Sequence, residues 1–183
     1  MTADLILLLA ELSDYFGFAA LVLFPLALLR RWRKKQLTWA AFKEMLALVF
    51  PLLPTLLIGG LVLSFITAIY TIAANHPLTA IPINAVSALC CVVLVNFLYY
   101  LDHYCGHRVR AYWAISHSVH HSFTQYDQTT NARVSFVDGF ISPWFYLPAV
   151  LIGFDPFLVL ACFGFILAYQ QWIHTETINK LAW

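Results

Sequence analysis

The feature that most constrains the fold of this chain is a set of long apolar stretches with almost no charge. About 20 consecutive apolar residues suffice for a helix to cross the hydrocarbon core of a bilayer. Residues 45–74 and 78–101 contain no Asp, Glu, Lys or Arg. The 183-residue chain is 62% hydrophobic and 10% charged, whereas soluble domains carry about 25% charged residues. We therefore predict an all-α integral membrane protein.

The apolar stretches predict a helical bundle with about four to five membrane segments. They lie at about residues 5–29, 45–74, 78–101, 134–154 and 156–172. Cytoplasmic loops of membrane proteins carry an excess of Lys and Arg. Half of all Lys and Arg lie in the run Arg30–Lys35, so we place this run in the cytoplasm. The segments that follow then bring residues 102–133 and His174 to the cytoplasmic side, which predicts a histidine-rich helical face there.

The chain has no low-complexity linker that would divide it, and we predict one membrane domain over residues 1–183. Residues 1–101 would supply membrane helices, and residues 102–183 would form the histidine-rich catalytic region. The formal net charge of +1 gives no indication of nucleic-acid binding. The predicted location is a multi-pass membrane protein with its histidine cluster on the cytoplasmic side.

Six of the seven histidines follow a pattern that is typical of a metal site. Five fall in two groups, His103-x3-His107 and His117-x2-His120-His121, and His174 follows the next apolar hairpin. Positions three and four apart share one face of a helix, and neutral imidazole is the commonest protein metal ligand. Six imidazoles exceed the four ligands of one tetrahedral ion, so we predict two ions. Imidazole suits iron, copper and zinc alike, and the ligand type leaves the metal open.

The two histidine groups also carry a resemblance to a known family. His103 to His107 form an HxxxH box, Trp113 follows, and His117 to His121 form an HxxHH box. The stretch YDQTTNAR at residues 126–133 and the stretch WIHTE at residues 172–176 complete the pattern. In this order they resemble the fatty acid hydroxylase superfamily, the integral-membrane di-iron proteins that include sterol desaturases and lipid hydroxylases. The resemblance covers about residues 95–183.

This resemblance implies a bundle of about four membrane helices and a di-iron centre at the membrane surface. It implies O₂-dependent hydroxylation or desaturation of a lipid: a fatty acyl chain, a sterol or an ether lipid. Electrons would come from an external donor, such as a reductase, a small haem or iron–sulfur carrier, or a pterin. No catalytic side chain beyond the metal centre is predicted. The implied iron ligands are His103, His107, His117, His120, His121 and His174.

Ligating imidazoles usually donate their second ring N–H to a carboxylate or carbonyl oxygen. Asp102, next to the first box, is the predicted acceptor, and Asp127, Asn131 and Glu176 are further candidates.

The family closes its site with a third HxxHH-type box, and this chain has none up to Trp183. We interpret the chain as a truncated member of the family. The alternatives are that a partner supplies the remaining ligands, or that the protein is a non-catalytic membrane scaffold. A membrane zinc protein is a further alternative, because zinc can substitute for iron on the same ligands.

Overall fold

The computed structural model describes residues 7–8, 11, 29–35, 38–122 and 133–173, and these residues include helices but no strand. The all-α class is therefore confirmed for the described part of the chain. We number the helices whose bounds are described from the N-terminus. They are α1 Trp39–Ala74, α2 Ala85–Arg108, α3 Arg110–Tyr112, α4 Ser118–His120, α5 Asp138–Ile152 and α6 Pro156–Ile173. One turn of π-helix, Trp113–His117, connects α3 to α4.

The long helices pack around one apolar core. Helix α5 packs against α1 and α2, and α6 packs against α2. On α2 the buried positions follow each other at intervals of three and four, which places them on one face of the helix. This stripe begins in the core and continues to the end of the helix, and it consists of Ala88, Cys91, Val95, Leu98, Asp102 and Gly106. The packing of the core therefore also fixes the orientation of the first histidine box.

Two described helical stretches are long and apolar enough to cross a membrane, Leu57–Ala74 within α1 and the whole of α2. Both expose large apolar side chains, such as Leu57 at 76% and Val86 at 72%. Exposed apolar surface of this kind suits contact with lipid. Helices α5 and α6 are apolar but shorter. The predicted total of four to five membrane segments stays a prediction, and the first of them, residues 5–29, lies almost entirely outside the described residues.

The third predicted segment begins later in the structure than the apolar pattern indicates. We predicted it over residues 78–101, but α2 starts at Ala85. The Asn84 side chain accepts hydrogen bonds from the backbone N–H groups of Val86 and Ser87 at 3.0 Å each. The Ser87 hydroxyl oxygen in turn accepts from the Asn84 N–H. This reciprocal capping box fixes the start of the helix, and hydropathy alone did not reveal it.

The residues before this cap dock on the end of α5. The N–H groups of Leu78 and Thr79 donate to the carbonyl oxygens of Leu151 and Ile152, at 2.7 and 3.2 Å. These bonds satisfy carbonyl groups that a helix end leaves without an intrahelical partner. Helix α5 ends at Ile152 and is followed by Gly153, whose φ of 125° is readily adopted by glycine. The connection between α1 and α2 is thereby tied to the bundle.

Candidate metal centre

The first histidine box lies in the last turns of α2. His103 and His107 are four positions apart, so their rings project from the same side. Their Nε2 atoms are 3.2 Å apart, and the ring centroids are 4.9 Å apart. Both residues directly follow a position of the buried stripe, Asp102 and Gly106. The box therefore lies beside the core, at the end of the bundle.

The second box is positioned by the π turn. The N–H of Ser118 reaches back to the carbonyl of Trp113, five residues earlier, which makes this turn wider than an α-turn. The turn ends at His117, which is buried with 8% exposure. Helix α4 follows, with His120 half-buried and His121 exposed at its end. Turns of π-helix inside α-helices are frequent at functional sites.

Close packing brings the two boxes together, and Gly106 allows it. A Cβ atom placed on Gly106 would lie 2.8 Å from Cγ and 2.9 Å from Nδ1 of His117. Both distances are shorter than a Cβ atom tolerates, so any side chain at position 106 would displace the His117 ring or the helix. The missing Cβ provides the space that the His117 imidazole occupies.

Four imidazoles meet at this contact. Nitrogen atoms of His103, His107, His117 and His121 all lie within 4.8 Å of one another. Two nitrogens that bind one ion at about 2.0–2.1 Å in tetrahedral geometry lie about 3.3–3.4 Å apart. The 3.2 Å separation of the His103 and His107 Nε2 atoms is close to this value. The donor set therefore fits a transition metal that prefers imidazole.

The protonation of His117 also suits a ligand. Burial is the largest of the effects that together lower the pKa of its imidazole to about 3, and the nearby rings of His103, His107, His121 and His120 contribute the rest. The ring is therefore neutral at physiological pH and keeps a lone pair for a metal. Its Nε2 is buried and has no hydrogen-bond partner within the described part of the chain. A buried polar atom without a partner is costly, and a bound cation would satisfy it.

His120 lies next to these four rings without joining their close nitrogen cluster. Its ring centroid is 6.1 Å from that of His103 and 5.7 Å from that of His117. Four other predicted site residues, His174, Asp127, Asn131 and Glu176, lie outside the described residues. The structure thus brings together five of the six predicted histidine ligands, and their role as ligands stays a prediction.

Asp102 is buried with 7% exposure, at the point where the core stripe of α2 reaches the histidines. Its carboxyl group accepts a hydrogen bond from the Tyr112 hydroxyl at 2.5 Å. The Tyr112 hydroxyl also lies 3.4 Å from Oγ of Ser142. The hydrogen bond between Tyr112 and Asp102 links α2 to α3, directly before the π turn. The predicted role of Asp102 as an acceptor for an imidazole N–H stays a prediction.

We expect Tyr112→Phe to destabilise the protein by about 1–3 kcal/mol, because it leaves a buried carboxyl group without its hydroxyl donor. Chemical denaturation in detergent measures this change. The control is Tyr100→Phe, since Tyr100 is 57% exposed, and its unfolding should match that of the wild type. Equal stability of both variants would show that the bond between Tyr112 and Asp102 contributes nothing measurable.

Three further groups of contacts at the site were not predicted from the sequence. The Trp113 ring stacks on His121 with centroids 5.4 Å apart, whereas we noted Trp113 only as part of a family pattern. Ser116 in the π turn donates a hydrogen bond to Asp138 at the start of α5. Asp138 also accepts from the Ser135 N–H at 3.1 Å. Gly106 is the third; a glycine between two metal-ligand candidates in a helix is the signal that could have identified it.

A cavity of about 550 Å³ extends from the histidines into the bundle. This volume is within the usual range for small-molecule sites. His103, His117 and His120 line it at the histidine end, and the rest of its wall comes mainly from apolar side chains and tyrosines of α1, α2, α5 and α6. Apolar residues of the wall include Val62, Ile66, Val159, Leu160, Phe163 and Leu167. Part of the histidine cluster is therefore accessible from a largely apolar space.

Comparison with known proteins agrees with the resemblance of the two boxes. The fatty acid hydroxylase family model matches residues 88–183. Alkylglycerol monooxygenase from Xenopus tropicalis is 41% identical over 87 residues, and the proteins of the same name from Homo sapiens and Danio rerio are 40% and 38% identical over 87 residues. Each match covers 48% of this chain and 19% of the relative. No solved structure matches the chain significantly.

The family match includes the whole of both histidine boxes, the π turn and helices α5 and α6. It covers more than half of the 183 residues, and it confirms the resemblance that the boxes indicated. The chain belongs to the fatty acid hydroxylase family.

Proposed function

We propose that this protein is a membrane-bound non-haem di-iron oxidoreductase that uses O₂ to hydroxylate or desaturate a lipid. The observation that carries the proposal is the meeting of four imidazoles, two of which, His103 and His117, line a largely apolar cavity. Membership of the fatty acid hydroxylase family supports it. The relatives named alkylglycerol monooxygenase support an oxygenase.

In this proposal the six histidines of the two boxes and of position 174 hold the iron. His103, His107, His117 and His121 form the compact part of the ligand set, and His120 and His174 complete it. Asp102, Asp127, Asn131 and Glu176 would orient ligating rings through hydrogen bonds. When bound, iron supplies the activation of O₂ that oxidation of an unactivated C–H bond requires.

The side chains of the chain itself position the substrate and protect the site. The cavity wall is mainly apolar, so it would bind a lipid chain and exclude water. His117 lines the cavity and is buried, so a lipid carbon beside it would lie next to the ligand cluster. The stacked ring of Trp113 covers His121 and would restrict the movement of that imidazole.

We also propose a multi-pass arrangement of one membrane domain, with the histidine cluster on the cytoplasmic side. The charge run Arg30–Lys35 supports this orientation, as do two helical stretches of membrane-crossing length. Electrons would come from a soluble or membrane-bound donor on the cytoplasmic side.

A zinc site is the second candidate, because four imidazoles within 4.8 Å of one another also fit one tetrahedral zinc ion. Zinc has no redox chemistry of its own. The two candidates therefore differ in O₂ consumption as well as in the metal.

The test is to purify the protein in detergent, reconstitute it anaerobically with Fe(II) and count the iron bound per chain. Reduced protein in lipid nanodiscs is then exposed to ¹⁸O₂, and the extracted lipids are analysed for an added ¹⁸O atom or a new double bond. A His120→Ala/His121→Ala variant is the control for the site. We expect about two irons per chain and oxidised lipid in the wild type alone. Stoichiometric zinc without O₂ uptake would favour the zinc site, and absence of any metal would contradict both.

A further inference from the structure

Four residues of α1 that line the cavity lie three or four positions apart, which places them on one face of the helix. They are Gly59, Val62, Ile66 and Tyr70, and they extend over about 16 Å of the helix axis. Tyr70 is 2% exposed, whereas the other three are half-buried. The wall that α1 provides is therefore most buried at Tyr70 and more accessible toward Gly59.

Two contacts between α1 and α5 show how the two helices are aligned. A Cβ atom placed on Gly139 would lie 2.7 Å from Cγ1 of Val62, and the Tyr70 hydroxyl donates to the carbonyl oxygen of Pro143 at 3.1 Å. The order of these contacts shows that α1 and α5 run in the same direction. Residues that precede Val62 therefore lie at the same end of the cavity as residues that precede Gly139. This is the histidine end, because α5 begins beside the π turn.

The cavity wall at this end is open and apolar. A Cβ atom on Gly59 would meet nothing within 4 Å. Val134 and Phe136, in the segment before α5, line the same cavity and are 44% and 42% exposed. The membrane-crossing stretch of α1 begins just before Gly59, at Leu57, which is 76% exposed. The cavity therefore opens beside a surface that suits contact with lipid.

We propose that the missing side chain of Gly59 keeps open a lateral entrance, through which the hydrocarbon chain of a membrane lipid enters the cavity from the bilayer. Gly59 thereby limits the width of the chain that the cavity admits, so it determines specificity. The rim formed with Val134 and Phe136 favours a hydrocarbon chain, because burying a polar group there without a partner is costly. This inference rests on the proposed function for the reaction that the lipid undergoes, but not for the entry of the chain.

The test is photo-crosslinking of palmitic acid that carries a diazirine near its methyl end, in nanodiscs without metal and without reductant. Light attaches the probe to nearby side chains, and mass spectrometry of peptides locates it. Leu160 and Phe163 of α6 report entry, because they line the cavity. Val93 of α2 is the internal standard, because it is 63% exposed and is not part of the cavity wall. We expect the wild type to be labelled at both places.

The variants Gly59→Ala, Gly59→Leu and Gly59→Trp should label α6 progressively less as the side chain grows, while labelling of Val93 stays constant. We expect the tryptophan variant to lose about tenfold, because placing extra atoms in a filled space has a cost of this order. The same three substitutions at Gly60 are the matched control. A Cβ at Gly60 also meets nothing within 4 Å, but Gly60 is exposed and lies outside the cavity wall. Its variants should label α6 like the wild type, and the melting temperatures of paired variants should agree.

Unchanged labelling of α6 in Gly59→Trp would overturn the proposal, and so would an equal loss in Gly60→Trp. Absence of α6 labelling in the wild type would overturn it too. Failure of the proposed function is seen separately, because metal content and lipid oxidation report on the histidines, whereas crosslinking needs neither metal nor O₂. A protein that binds no iron but shows the labelling that depends on Gly59 retains the entrance and loses the oxygenase.

Discussion

Replacing His117 with alanine should remove the bound metal and, with it, lipid oxidation. His117 is the central ring of the cluster, with its centroid 4.5 Å from that of His103, 4.6 Å from His107 and 4.9 Å from His121. It is also the buried member of the group. Changes in the outer partners of a ligand already reduce metal affinity about 10–100-fold. Loss of a central ligand should therefore lower the metal affinity by more than about 100-fold.

Metal retained after gel filtration, measured by mass spectrometry, checks this prediction directly, and titration with Co(II) gives the affinity. His76→Ala is the control, because His76 lies exposed in the connection between α1 and α2. It should bind metal like the wild type. Wild-type metal content in His117→Ala would show that the ion binds elsewhere, and the assignment of the cluster as the metal centre would have to be withdrawn.

The second large effect is expected from Gly106→Ala, a change that leaves every candidate ligand in place. In an exposed helix position this substitution should stabilise the protein by about 1 kcal/mol, because alanine has the higher helix propensity. Here the new Cβ would lie 2.8 Å from Cγ of His117. The ring must move, and we expect loss of most of the bound metal together with a lower free energy of unfolding.

Gly60→Ala provides the control of opposite sign. A Cβ at Gly60 on α1 meets nothing within 4 Å, so this variant should keep its metal and be as stable as the wild type or slightly more stable. The absorption spectrum of the Co(II)-loaded protein reports ligand geometry in each variant. A Gly106→Ala protein with the wild-type spectrum and increased stability would contradict the role assigned to the contact between Gly106 and His117.

The spacing of the histidines predicted which residues of each box would come together. Intervals of three and four residues identify a shared helix face whatever the tertiary structure is. The meeting of the two boxes with each other was implied by the family pattern and by the orientation argument, and the described coordinates bring their rings within 4.5 Å of each other. Local periodicity was therefore sufficient for the membership of each box, but not for the meeting of the two boxes.

The sequence did not predict how that meeting is achieved. The π turn has no simple sequence signature, and it determines the direction in which His117 points into the bundle. The bond from Tyr112 to Asp102 joins residues on two helices, and its existence depends on the angle between them. The cavity also depends on the angles between helices, because its wall combines residues of four helices, α1, α2, α5 and α6. Each of these features depends on tertiary packing, which hydropathy and spacing do not encode.

The continuous buried stripe of α2 has a consequence for how this protein can evolve. Leu98 belongs to the core, and Asp102 and Gly106 belong to the histidine end, yet all three lie on one face of one helix. An insertion or deletion of one residue between Leu98 and Asp102 would rotate everything beyond it by about 100° and shift it by about 1.5 Å. The first box would then face away from the second. Changes of chain length are therefore excluded from this stretch and must be accommodated by loops, such as the connection that precedes Asn84.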